Sequence, residues 1–212
     1  MSTSRQEILD RIRNANGPQH IDRQQNYKAL LRDYSQASTA SLGARLDLFL
    51  ERLRDYGADV HRCAEPQIAE TVRNAMTKRG KSELLIPPDL PRSWLPDGFR
   101  FVPDNDLEYV EIDAIQGVLT GCAVAIAITG TIVLHHSAGE GRRALTLIPD
   151  YHLCVVFANQ VVETVSQGIR EMANFDNAPL TTISGPSATS DIEMTRIKGV
   201  HGPRTLDVIL VE

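Results

Sequence analysis

The stretch "HLCVVFA", residues 152–158, decides the fold. After its histidine every side chain is apolar, with no alternation of apolar and polar positions. A strand of that kind has to be covered on both faces, as in the interior of a parallel sheet flanked by helices. Working outward, "VVETVSQGIREM" follows as an amphipathic segment with Val161, Val162, Val165, Ile169 and Met172 on its buried side. "PLTTIS" and "LDVILVE" read as the last strands. On the other side, "AVAIAITGTIVLHH" carries two apolar segments around Thr129-Gly130-Thr131, the pattern of a hairpin or a sharply bent strand. "EGRRALTLIP" is expected to open as a helix.

Further toward the N-terminus, strands and helices alternate. Leu42, Leu46, Phe49, Leu50 and Leu53 recur at helical spacing, and Gly57 suits the position just past a helix end. "ADVHRC", "SELLIP" and "FRFVP" read as strands, and a helix with Ile68, Val72 and Met76 on one side follows Pro66. The proline-rich "PPDLPRSWLPDG" is a turn region. Ser4 and Glu7 suit a capping box for a first helix, whose apolar stripe is Ile8, Leu9 and Ile12; Asn16-Gly17-Pro18 stops it. The expected organisation is a helix and linker over residues 1–40, then one α/β domain over 41–212 with helices on both faces of its sheet.

Composition narrows the function. The 212 residues carry a net charge of −5 and only 23% charged side chains, which disfavours nucleic acid, whose phosphates call for a concentrated basic surface. Residues 1–14 show no apolar core of a signal peptide. The most apolar stretch, 118–134, is interrupted by Gly121, Thr129, Gly130 and Thr131, so no membrane span is expected. A cytoplasmic protein is the expectation. Cys63, Cys122 and Cys154 stand far apart without a CxxC pair, so neither a zinc ribbon nor an iron–sulfur cluster is expected in this chain. Cys154, inside the apolar run, reads as an inert buried thiol. His135 and His136 are adjacent and point to opposite faces of a strand, so with His152 and Asp150 they make a poor metal site, and none is expected.

Three junctions rich in small residues are candidates for a ligand. In "ISGPSATSDIE", residues 183–193, a strand leads into Ser184, Gly185, Ser187 and Ala188. Ser190 and Asp191 then open a capping box closed by Glu193. Such a turn offers amides to an anion, and it also serves as a plain capped turn. It is not a nucleophile elbow, because Thr189 replaces the second glycine of G-x-S-x-G. In the second junction, Gly139, Glu140, Gly141, Arg142 and Arg143 place two cations beside a glycine-rich loop, a pairing that suits a carboxylate or phosphate. The alternative is that one arginine pairs with Glu140 or Asp150 and the other is solvated. Gly139, Gly141 and Ala144 mimic a dinucleotide fingerprint, but no carboxylate follows where a ribose would need one. The third junction, 199–204, is a turn with His201 and Arg204.

"TGTIVL", "GRRALTLIPDYHLCVV", "ISGPSATSDIE" and "GVHGPRTLDVILV" together resemble the lactate utilization protein C family, the LUD-domain proteins. The resemblance is close over about residues 117–211 and looser over 41–116. It implies a fold like the NagB/RpiA/CoA-transferase group and a role in oxidising L-lactate to pyruvate. It also implies partner proteins that carry the iron–sulfur clusters. No catalytic residue comes with it. Two departures stand out: Ile128 replaces a glutamate that many relatives carry before T-G-T, and His135-His136 replace small or acidic residues.

The expected role is therefore an accessory subunit of a lactate-oxidising system. Thr129, Gly130 and Thr131, the loop from Gly139 to Arg143, and residues 184–191 would line one crevice that binds a small anion. That crevice would lie beyond the carboxyl ends of the strands, the usual place in open α/β sheets. The rival readings are a stand-alone transferase- or ligase-like enzyme acting on an acyl or phosphate compound, weakened by Ile128, and a non-catalytic assembly scaffold.

Overall fold

A computed structural model describes residues 4–16, 27–31, 33–34, 38–136, 139–175, 178–189, 197–198 and 202–212. The chain divides into two compact units, Met1–Tyr34 and Ser35–Glu212. In the first, helix α1 spans Ser4–Ala15, and Ile8 and Ile12 are exposed.

The second unit is built on a six-stranded, wholly parallel sheet. In chain order its strands are β1 (Asp59–Cys63), β2 (Glu83–Ile86), β3 (Arg100–Pro103), β4 (Val118–Thr120), β7 (Tyr151–Phe157) and β12 (Thr205–Val211). Their spatial order is β1-β12-β7-β4-β2-β3. A smaller sheet, ordered β8-β5-β6-β9, combines the hairpin of β5 (Val124–Ile126) and β6 (Thr131–His135) with β8 (Val161–Val162) and β9 (Leu180–Ile183). The hairpin, strands β1, β2, β3, β7, β9 and β12, and the α/β class follow the sequence pattern.

Strand β7 holds the centre for the reason its composition gives. Its Cys154 and Val156 face helix α2 (Leu42–Asp55) and the smaller sheet, packing with Phe49, Leu50, Leu53, Ile132 and Leu134. Its Leu153 and Val155 face helix α3 (Ile68–Lys78), packing with Ile68, Val72 and Met76. Both faces of this stretch are covered by apolar side chains, which accounts for its unbroken apolar run. Helix α2 starts at Ser41, whose hydroxyl accepts from the amide of Ala44 at 3.3 Å, and stops where Gly57 adopts φ +84°. On the α3 side, the fully buried carboxylate of Asp207 accepts from both Arg79 Nε and Nη2 and from the Tyr151 hydroxyl at 3.0 Å.

Two local expectations are corrected. Residues 143–146 form a single 3-10 turn rather than the start of an α-helix. The amphipathic segment after β7 divides into strand β8 and helix α5 (Val165–Met172), the short helix Tyr109–Asp113 between β3 and β4 being α4. Thr164 caps α5 reciprocally with Gln167, a signal that periodicity alone passes over. Its buried position is Gly168, which rests against Ile126, while Val165 and Ile169 are exposed. No described helix is long and apolar enough to cross a membrane.

Candidate functional site

A cavity of about 230 Å³ opens between the large sheet and the end of the smaller one. Its wall is made by Arg143 and Thr146, by His152, by residues 181–187, and by Gly202, Pro203 and Leu206. Each contribution has a local cause.

Between β6 and β7 the chain first folds over the carboxyl ends of β4 and β2. The Gly121 amide donates to the carbonyl of Gly139 at 3.1 Å, and Gly141, at φ +69°, lies against Pro87 and Leu145. Arg142 then turns away from the cavity. Its Nε and Nη2 donate to the two carboxylate oxygens of Asp104 at 2.6 and 2.9 Å, and Nη2 also donates to the Leu107 carbonyl. The guanidinium holds Asp104 below the usual carboxylate range. The 3-10 turn follows. Residues three apart eclipse one another in that geometry, so Arg143 and Thr146 share a side. That side lines the cavity, while Leu145 is buried against Ile112 and Val118.

Arg143 Nη1 donates to Thr146 Oγ1 at 3.2 Å. Among the described residues no carboxylate pairs with it, and burial lowers its pKa from the usual value. His152, the second residue of β7, is 1% exposed yet lines the cavity. Its Nε2 meets Thr120 Oγ1 at 2.8 Å. Burial, reinforced by nearby Arg143, pulls its pKa down to about 4, so the ring is neutral at neutral pH.

The opposite wall comes from β9 and its turn. Thr181 Oγ1 lies 2.6 Å from His136 Nε2, and His136 Nδ1 lies 2.8 Å from the Gly141 carbonyl. With Nδ1 donating to that carbonyl, Nε2 accepts from the threonine. Ser184 Oγ is 2.8 Å from Thr131 Oγ1, which donates to Thr129 Oγ1. Gly185 takes φ +83° with its Cα packed on Tyr56, so the chain can turn there. The Ser187 amide donates to the Pro203 carbonyl at 2.8 Å, tying the turn to the approach of β12.

The three stretches expected to share one crevice therefore separate. Arg143, Ser184, Gly185 and Ser187 line the cavity. Thr129 and Thr131 touch it only through Ser184. Gly130 faces helix α2, where a Cβ would sit 2.7 Å from that of Arg52. Gly139, Glu140, Gly141 and Arg142 stand over the carboxyl ends of β2 and β4, and Arg142 is occupied by Asp104. Asp150 is likewise paired, with Arg204 at 2.5 and 3.0 Å. Ser190, Asp191 and the expected capping box lie outside the described residues, as does His201; Ala188–Thr189 (β10) pair antiparallel with Ile197–Lys198 (β11).

The cavity's position is also corrected. His152 and Leu206 are register partners near the amino ends of β7 and β12, so the space lies beside the strand beginnings, not beyond their carboxyl ends. The cause is the path of the β6–β7 connection, which crosses from Gly139, held beside Gly121 at the carboxyl end of β4, back to Asp150 and carries Arg143 with it. Sequence reasoning passed over His152, Thr146, Thr181 and Thr182 as lining residues. The one available signal was His152 itself, a polar residue opening an otherwise apolar central strand. Among the described residues no three His, Cys, Asp or Glu side chains gather as metal donors.

The lactate utilization protein C of Deinococcus radiodurans is 44% identical over 169 residues, covering 78% of this chain and 79% of that one. A lactate utilization protein C from Exiguobacterium sp. is 26% identical over 99% of this chain and 96% of its own length. A crystal structure of a DUF162 family protein from Deinococcus radiodurans superposes with a TM-score of 0.71 at 37% identity, over 82% of this chain and 99% of that one. The LUD domain family model matches residues 46–211, which takes in both sheets and the whole cavity, and the chain belongs to the LUD-domain family.

Proposed function

We propose that this protein serves the oxidation of L-lactate to pyruvate in the cytoplasm as a subunit without a redox centre of its own. It would work beside partner proteins that carry iron–sulfur clusters, and its cavity would hold a small carboxylate. The relatives' names support the metabolic setting. The observation that carries the site is Arg143, a guanidinium in the cavity wall with no carboxylate partner among the described residues, bonded to the Thr146 hydroxyl in a cavity that Ser184 and Ser187 also line. A partly buried cation of this kind gains most from a bound anion, because the ligand replaces the water it has lost. The volume falls below the roughly 300–1,000 Å³ of sites for drug-sized ligands and suits a metabolite of a few carbons.

The test has two arms. In the purified protein, small carboxylates should raise the unfolding temperature, and Arg143→Gln should abolish the rise, by linkage of binding to folding. In cells lacking the gene, lactate-dependent respiration should return with the unaltered protein and not with Arg143→Gln. Turnover of an acyl or phosphate compound by the isolated chain would replace this reading with that of an independent enzyme.

A further inference from the structure

Resting on the reading of the cavity as a carboxylate site, we infer that His152 makes it selective for 2-hydroxy acids, its Nδ1 accepting a hydrogen bond from the ligand's hydroxyl while Arg143 takes the carboxylate. In this reading Thr120 sets the tautomer. That residue has one hydroxyl proton, and Thr120 Oγ1 donates it to the Gly121 carbonyl at 2.9 Å. The oxygen is then left to accept, so His152 Nε2 carries the ring proton and donates to it across 2.8 Å. Nδ1 is the remaining polar atom of a ring that lines the cavity, and it bonds to no described residue.

A bare lone pair next to a bound anion is repulsive unless the ligand brings a donor. The ring does not readily supply one by taking a second proton. It is buried, and Arg143 stands close enough to oppose a charge there, so its pKa lies near 4. A 2-hydroxy acid resolves the conflict, because its carboxylate and its hydroxyl proton lie on neighbouring carbons. A 2-oxo acid presents a second acceptor to Nδ1, and an unsubstituted acid presents nothing. An acceptor left unpaired in a buried site disfavours both by roughly tenfold or more.

The experiment is calorimetric titration of the full chain at pH 7 with L-lactate, pyruvate and propanoate. The expected result is lactate at least tenfold tighter than either of the others, with the gap narrowed in His152→Leu. Repeating the lactate titration in buffers of different ionisation enthalpy should show no proton uptake. Equal affinities for the three acids, or uptake of one proton per lactate, would overturn the role of His152 while leaving the carboxylate site standing. No binding of any acid would overturn both. If His152→Leu does not fold, the three-acid series and the proton count on the unaltered protein decide the matter alone.

Discussion

Arg142 and Arg143 are adjacent in sequence and do opposite work. Sequence alone presents them as two cations beside a glycine loop, and it allows that one is paired. It cannot say which, because the partner, Asp104, lies at the end of a strand 38 residues earlier. The structure gives Arg142 a bidentate carboxylate and leaves Arg143 facing the cavity. Asp104 is 8% exposed, and its pKa in the folded state is lowered mainly by the hydrogen bonds from Arg142. A lowered carboxylate pKa contributes stability that is fully present above the unfolded value and is lost as pH falls through the folded one. Asp104→Asn should therefore destabilise the protein by about 1–3 kcal/mol at pH 7, the worth of charged hydrogen bonds at a partly buried site. In urea denaturation the difference from the unaltered protein should shrink once the pH drops below about 3.9, the ordinary aspartate value. A difference that stays constant down to pH 3 would show that the ion pair is not its source. A second carboxylate obeys the same sign. The Ser38 hydroxyl and the amides of Thr39 and Ala40 hold Glu163 down to about 2, so its NMR titration midpoint should lie well below that of a free glutamate.

Elements were more legible than their contacts. Strand β7, helices α2 and α3, and the β5–β6 hairpin follow from apolar run length, helical spacing and turn residues, all of which are local. The 3-10 turn at 143–146 was not legible, since four residues of Arg-Ala-Leu-Thr carry no period. Nor was the exposure of Val165 and Ile169, because Gly168 lets α5 approach Ile126 through a position with no side chain. Gly130 illustrates the same limit. In sequence it sits between two threonines and invites a ligand; in the fold it lets the hairpin meet the backbone of α2. It has φ +56°, and a Cβ there would stand 3.1 Å from the Arg52 carbonyl carbon and 3.2 Å from the Leu53 amide nitrogen. Those are helix backbone atoms and cannot swing aside. Gly130→Ala should cost about 2–4 kcal/mol, from a left-handed conformation that disfavours a side chain and from overpacking. Gly43, in the first turn of α2 with nothing within 4 Å of its would-be Cβ, is the control. Gly43→Ala should be neutral or stabilise by up to about 0.5–1 kcal/mol. Denaturant midpoints of the two variants moving in the same direction would contradict this packing.

In the larger unit, the fold depends on one sheet covered on both sides, and the cavity is a gap in that cover where the smaller sheet ends. The α/β class was readable because continuous apolar strands demand two covering layers. The cavity was not, because it is assembled from the beginnings of β7 and β12 and the end of β9, segments brought together only by parallel pairing and the β6–β9 register. The same architecture makes a prediction about the thiols. Cys122 is 3% exposed and Cys154 0%, both within the cluster that joins α2, the large sheet and the smaller sheet. Burial raises both thiols, Cys154 to about 12, so the reactive thiolate is scarce even where reagent could enter. Cys63, at the end of β1, is only half-buried and is raised chiefly by its partial burial. Cys154 packs with Phe49, Leu50 and Leu53, so parting α2 from the sheet to reach it means losing all three from the core together. Under a thiol reagent at pH 8, one cysteine should therefore react in the native protein, and the other two only along the global unfolding curve in denaturant. Native-state labelling of Cys122 or Cys154 at a rate near that of Cys63 would mean that the α2 layer lifts independently, and that the two sheets and the helix packed with them do not form one cooperative core.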